Sequence, residues 1–154
     1  MMDLILWRHA EAFDARDGQD DLSRELTPKG ERQAKRMADW LGQRLADSTR
    51  ILVSPALRCQ QTAAALAKKS KTAPELEPGA DVKVLLEAAR WPESSVPVLL
   101  IGHQPTLGML AAYLLTRTPY PLAVKKGSVW WLRDRDREGL AEVVLHAVQS
   151  PDGL

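Results

Sequence analysis

A three-layer α/β sandwich, with helices on both faces of a mostly parallel sheet, is the fold class this sequence predicts. Two observations carry it. Short continuous apolar runs alternate with segments of helical period, the pattern of repeated strand–helix units on a parallel sheet. The chain then ends in two apolar runs joined by a charged, glycine-containing turn, which reads as an antiparallel hairpin closing that sheet. A length of 154 residues suits one domain, residues 1–154.

Asp3-Leu-Ile-Leu-Trp7 ends at the charged pair Arg8-His9 and reads as a buried parallel strand. Residues 13–25 are polar, with Gly18 and several aspartates, and read as a loop. Thr27-Pro28 supplies an N-cap and a proline at the first helical position. Ala34, Met37, Ala38, Leu41 and Leu45 then keep helical spacing, so a helix is predicted from Pro28 to Leu45. Arg50 to Val53 is the second strand. Ser54-Pro55 repeats the cap-and-proline signal and predicts a helix to about Lys69, with Cys59, Ala63 and Leu66 inward. Lys68-Lys69-Ser70-Lys71 would end it with cations at the negative end of the helix dipole. Thr72 to Gly79 is proline-rich and irregular, with room for one short edge strand.

Asp81 caps a third helix, in which Val82, Leu85, Leu86 and Ala89 share a face. Val96 to Ile101 is the third core strand, and Gly102-His-Gln-Pro-Thr106 leads into a helix from about Pro105 to Thr116. Ser128 to Arg133 and Leu140 to Ala147 are the hairpin strands, with Asp134 to Gly139 as their turn. Trp130 and Trp131 must face opposite sides, one in the core and the other exposed or at an interface.

Composition excludes several function classes. Twenty-one Lys and Arg against 20 Asp and Glu leave a net charge of +1, which is not the balance of a global nucleic-acid or membrane-surface binder. An apolar fraction of 45% excludes disorder, and aromatics at 5% leave a mainly aliphatic core. The longest apolar stretch, Leu107 to Leu115, is far short of a membrane span. Met1 to Leu6 carries Asp3 where a secretory leader would be positive. Cys59 alone excludes an internal disulfide and a paired-cysteine zinc site, and the chain has no asparagine to glycosylate. The expected compartment is a reducing cytoplasm.

Three polar clusters follow the ends of predicted strands: Arg8-His9, Ser54 with Arg58, and Gly102-His103. Ligands of open α/β sheets bind beyond the carboxyl ends of the strands. Arginine matches phosphate oxygens bidentately, a neutral histidine is a nucleophile toward phosphorus, and helix N-termini at the same edge favour an anion. The residues themselves therefore read as a phosphate site with a nucleophilic histidine.

The same residues resemble the histidine phosphatase superfamily, also called phosphoglycerate mutase-like. Arg8-His9-Ala10 is similar to its R-H-G/A signature, and Leu26-Thr27 with Gly30 and Gln33-Ala34 to its L-T-x-x-G-x-x-Q-A helix start. Ser54-Pro55-Ala56-Leu57-Arg58 with Gln61-Thr62-Ala63 resembles its S-x-x-x-R-x-x-Q-T-A stretch, and Gly102-His103-Gln104-Pro105 its G-H-x-P segment. A lone R-H-A would say little; four motifs in order are specific. Within the superfamily, Pro74-Glu-Leu-Glu-Pro78 is similar to a segment of the SixA-type phosphohistidine phosphatases.

The resemblance implies roles: His9 as nucleophile, Arg8 and Arg58 as clamps on the phosphoryl oxygens, and His103 completing the pocket. It implies no cofactor and no metal. The short interval between Arg58 and His103 leaves no room for the helical lid of larger members. An open cleft suits a phosphohistidine on another protein as substrate. The asparagine that small-molecule mutases place after R-H-G is absent, and the general acid is weakly marked, with Glu75 first and Glu11 second. A phosphohistidine substrate needs such an acid less, because the leaving imidazole carries a proton of its own. Two other readings stand beside this one: a small-molecule phosphomonoesterase of the same superfamily, and a non-catalytic phosphohistidine-binding protein.

The remaining candidates read as structural. His146 falls in the last strand, away from every motif. Cys59 lacks the arginine that a cysteine phosphatase would place downstream, and packs as core. The three histidines have no zinc-site spacing. Lys125-Lys126 is a solvated pair or a rim of the cleft facing an acidic partner.

Overall fold

The computed structural model describes residues 1–154. Its first strand, β1 (Met2–Arg8), has only apolar side chains from Leu4 to Leu6 and then Trp7, all buried. Such a strand has to be covered on both faces. Ile5 and Trp7 point into one hydrophobic core and Leu4 and Leu6 into the other. Strands β2 (Arg50–Val53), β3 (Lys71–Thr72), β4 (Val98–Gly102), β5 (Val129–Arg137) and β6 (Leu140–Gln149) complete a six-stranded sheet in the order β3-β2-β4-β1-β5-β6. The pairs among β1 to β4 are parallel, and β5 and β6 are antiparallel additions.

Helices α1 (Pro28–Gly42) and α2 (Leu57–Ala64) pack on one face, and α3 (Val82–Ala89) and α4 (Thr106–Thr116) on the other. This is the predicted three-layer, mostly parallel architecture. Each large aliphatic buried between the layers contributes about 1.5–3 kcal/mol, so the two-sided core outweighs the propensity of helices as short as α2 and α3. No helix is long and apolar enough to cross a membrane.

Helix α1 starts as its sequence predicts, with the Thr27 hydroxyl accepting from the Gly30 amide and Pro28 in the first turn. It ends at Gly42, and Leu45 reaches the core from the turn beyond. Helix α2 departs further from expectation. It begins at Leu57 behind an N-cap, Ala56, that has no side-chain acceptor, and stops at Ala64 rather than near Lys69. Ser54 is not its N-cap residue, although the Ser54 hydroxyl oxygen accepts the Ala56 amide at 3.2 Å as well as meeting His103 Nε2 at 2.8 Å. The early stop has a topological cause: the chain reverses through Ala67, at φ 52°, so that Lys71 and Thr72 pair with Leu52 and Val53.

The charged run Asp134 to Gly139 is mostly strand, not turn. Arg133 pairs with Asp3, Arg135 with Glu142, and the Met2 amide donates to the Asp134 carboxylate, so the alternating charges have partners on adjacent strands. The turn contracts to Glu138 and Gly139, at φ 53° and 81°, the doubly left-handed geometry that two-residue hairpins prefer. Trp131 is buried against Trp40 and His146, with ring centroids 6.2 and 5.9 Å away, and Trp130 packs partly buried in the opposite core. The expected split holds in direction, with Trp131 in one core and Trp130 on the other face, partly buried rather than exposed.

Gly30 marks a close approach. A Cβ there would sit 1.9 Å from the Glu11 carbonyl oxygen, whereas one at Gly42 in the same helix meets nothing within 4 Å. Gly30→Ala is expected to destabilise the fold by about 2 kcal/mol, a melting temperature lower by roughly 4–8 °C. Gly42→Ala should be neutral or slightly stabilising, since alanine is the better helix former. Thermal melts of the two variants check the contrast; equal shifts would contradict it.

Candidate active site

The parallel register of β1 and β4 pairs Arg8 with Gly102, so the next residues of each strand, His9 and His103, leave the sheet side by side. The His9 amide donates to the Gly102 carbonyl at 3.1 Å, and the two imidazole centroids lie 5.3 Å apart. On the other side of β4, the Ser54 amide donates to the Ile101 carbonyl at 3.0 Å, which carries the start of α2 and Arg58 to the same edge. Arg8, His9, Arg58 and His103, the four residues singled out from sequence, line one pocket of about 260 Å³.

Both arginines are buried or half-buried and fixed by named partners. Arg8 Nη1 donates to the Val124 carbonyl at 2.8 Å. Arg58 donates through Nη1 to the Asp21 carbonyl at 2.8 Å and through Nη2 to the Asp21 carboxylate at 3.0 Å. The Nε of each guanidinium is buried with no partner. Arg24 and Lys126 also line the pocket, against a single carboxylate, Asp14. Four cations converging at the ends of parallel strands make a site for a phosphoryl-sized anion.

The histidines are held neutral. His9 Nδ1 lies 2.7 Å from the Ala10 carbonyl. A carbonyl only accepts, so Nδ1 carries the proton and Nε2 keeps a free lone pair. Burial pushes the His9 pKa down to about 4; the Ala10 carbonyl works against that, and the charges of Arg58, Arg8 and Arg24 add to it. His103 is pushed to about 3, first by burial and then by His9 and Arg58. Its Nε2 meets the Ser54 hydroxyl at 2.8 Å and its Nδ1 meets Arg58 Nη2 at 3.4 Å. Cys59 is core, as expected, with burial raising its thiol pKa to about 12.

The other motif residues hold the loop that follows His9. Thr62 accepts the Ala10 amide at 3.1 Å and donates to the Arg58 carbonyl at 2.8 Å, which ties the loop after His9 to α2. Gln33 accepts the Glu11 amide at 2.9 Å and Gln61 the Leu26 amide at 2.7 Å. The Glu11 carboxylate accepts from the Thr27 hydroxyl at 2.7 Å, so this candidate acid is engaged at the start of α1. Glu75 is exposed on a 3-10 turn, Pro74–Leu76, and neither glutamate lines the pocket. Sequence reasoning missed Arg24 and Asp21, which sit in the loop between His9 and α1. The available signal was a charged loop that starts beside His9 and closes where Phe13 and Glu25 bond at 2.9 Å.

Residues 4–81 match the family model described as histidine phosphatase superfamily (branch 1). The chain is 35% identical over 121 residues to the phosphohistidine phosphatase SixA of Escherichia coli K12, covering 73% of this chain and 74% of that one. It is 35% identical over 158 residues to an uncharacterised protein of Picosynechococcus sp., covering 94% and 90%. Among solved structures it resembles the protein histidine phosphatase SixA complexed with tungstate, with a TM-score of 0.80, 30% identity and 99% of both chains covered.

Proposed function

The chain belongs to the histidine phosphatase superfamily and is a phosphatase, and on that premise we propose that it removes the phosphoryl group from phosphohistidine on another protein through a phospho-His9 intermediate. The observation that carries the reading is the His9 tautomer: Nδ1 is tied to the Ala10 carbonyl at 2.7 Å, and the free nitrogen belongs to a ring lining the arginine pocket. The similarity to SixA supports phosphohistidine as the substrate.

In the first step the His9 Nε2 lone pair forms a bond to phosphorus while the substrate P–N bond breaks. The departing imidazole takes the electron pair and leaves neutral if its other nitrogen already carries a proton. Arg8, Arg58 and Arg24 stabilise the charge spread over the three equatorial oxygens. In the second step water attacks phospho-His9, the P–N bond electrons return to Nε2, and both protons of the water leave with the phosphate as H2PO4−, one of them then passing to solvent. No carboxylic acid is required for the first step, which agrees with the absence of Glu11 and Glu75 from the pocket lining.

Trapping tests the reading. Incubation with a ³²P-labelled histidine-phosphorylated protein, quenched within a turnover, should leave acid-labile, alkali-stable label on this chain. A panel of sugar phosphates should be hydrolysed far more slowly. Preference for the sugar phosphates would select the phosphomonoesterase reading, and binding of the phosphoprotein without turnover the scaffold reading.

A further inference from the structure

Ser54 is the motif residue whose predicted role the structure removes: it is not the cap of α2. Its side chain is fully buried. Its amide is fastened to Ile101, two residues before His103, and its Oγ accepts the Ala56 amide at 3.2 Å and lies 2.8 Å from His103 Nε2. On the far edge of the same ring, Arg58 Nη2 approaches Nδ1 at 3.4 Å. A guanidinium only donates, so Nδ1 accepts, and the proton of the neutral imidazole lies on Nε2, facing the serine oxygen. The Cys59 sulfur lies 3.5 Å from Nε2.

We propose that Ser54 is a positioning residue for His103: it engages Nε2 and so leaves Nδ1, beside Arg58, as the nitrogen that takes up a proton when the phosphoryl group binds and donates to it. The inference rests on the phosphatase reading above, with His103 lining the same pocket, but the ring geometry it invokes exists without substrate. Imidazole offers two nitrogens and two ring orientations, and an active site gains from fixing one. Without the hydroxyl, Nε2–H is left with a thiol sulfur, a weak acceptor, and only the long contact of Arg58 Nη2 with Nδ1 at 3.4 Å still opposes exchange of tautomer or rotation about Cβ–Cγ.

Long-range ¹H–¹⁵N spectra of the full chain read this directly, because it has only three histidines. The wild-type His103 should show a protonated Nε2 and an unprotonated Nδ1, and Ser54→Ala should mix the tautomers. With p-nitrophenyl phosphate, Ser54→Ala should lose about 10–100-fold in kcat with KM little changed, and Ser54→Thr, which keeps the hydroxyl, should recover most of it. A wild-type His103 protonated on Nδ1 overturns the proposal, whether or not the alanine variant folds. So does an alanine variant with both the wild-type tautomer and the wild-type kcat. If no substrate is hydrolysed at all, the phosphatase reading fails while the spectra still decide the role of Ser54.

Discussion

His9→Ala is expected to abolish phosphate release, lowering kcat/KM by roughly 10⁴–10⁶-fold, the scale seen when a covalent nucleophile is deleted. The loss should be that complete because Nδ1 of the pocket's other imidazole, His103, sits against Arg58 and takes up a proton once the phosphoryl group is bound, so it has no lone pair to attack with. His103 is engaged at Nε2 by Ser54 and at Nδ1 by Arg58. The arginines are held by Val124 and Asp21 rather than by His9. Anion affinity should therefore survive: tungstate should still raise the melting temperature of His9→Ala. Saturating EDTA should leave the wild-type rate unchanged, because the phosphoryl charge is met by guanidinium groups and no cluster of three or more His, Cys, Asp or Glu is placed to hold a metal ion. Appreciable turnover by His9→Ala would mean that water attacks the substrate directly, and the covalent mechanism would have to be abandoned.

The site was largely legible from sequence because its parts sit at strand ends. Once Leu4–Trp7 and Val98–Ile101 are read as parallel neighbours, Arg8-His9 and Gly102-His103 must emerge together. What that logic cannot supply is any contact made from a loop of irregular backbone. Arg24 and Asp21 were invisible for this reason: residues 13–25 have no period, so nothing in the sequence fixes which of several charged side chains turns inward. Ser54 failed differently. A serine before a proline is a good local cap signal, and its oxygen does accept the Ala56 amide, but the helix takes Ala56 as its N-cap and the same hydroxyl also meets His103, a tertiary contact that no local pattern announces. The hairpin failed for a third reason. Alternating charge reads as solvated turn in one dimension, and only the pairing of Arg135 with Glu142 and Arg133 with Asp3 makes it strand.

Acid should unfold the unliganded protein early, through the same two histidines. Their pKa values fall to about 4 for His9 and about 3 for His103 in the fold, against roughly 6.5 in an unfolded chain. Between those values the unfolded state binds more protons, so stability rises with pH: the contribution is complete above pH 6.5 and is lost as pH falls toward the folded values. At pH 4 the loss is on the order of 3 kcal/mol for each ring, against a total of about 5–15 kcal/mol for a domain of ordinary stability. Asp3 and Asp21, both shifted downward beside arginines, lose their contributions only at more acid pH, below the usual carboxylate range. Denaturant titrations from pH 8 to 4 should therefore show a steep slope that starts near pH 6.5, and His9→Gln/His103→Gln should flatten it. Tungstate or phosphate should flatten it too, because an anion among Arg8, Arg58 and the two rings favours the imidazolium and takes up a proton on binding. A His9 that titrates at its ordinary value in the free protein would show that the ring is not desolvated. The neutral, preset nucleophile would then owe nothing to burial.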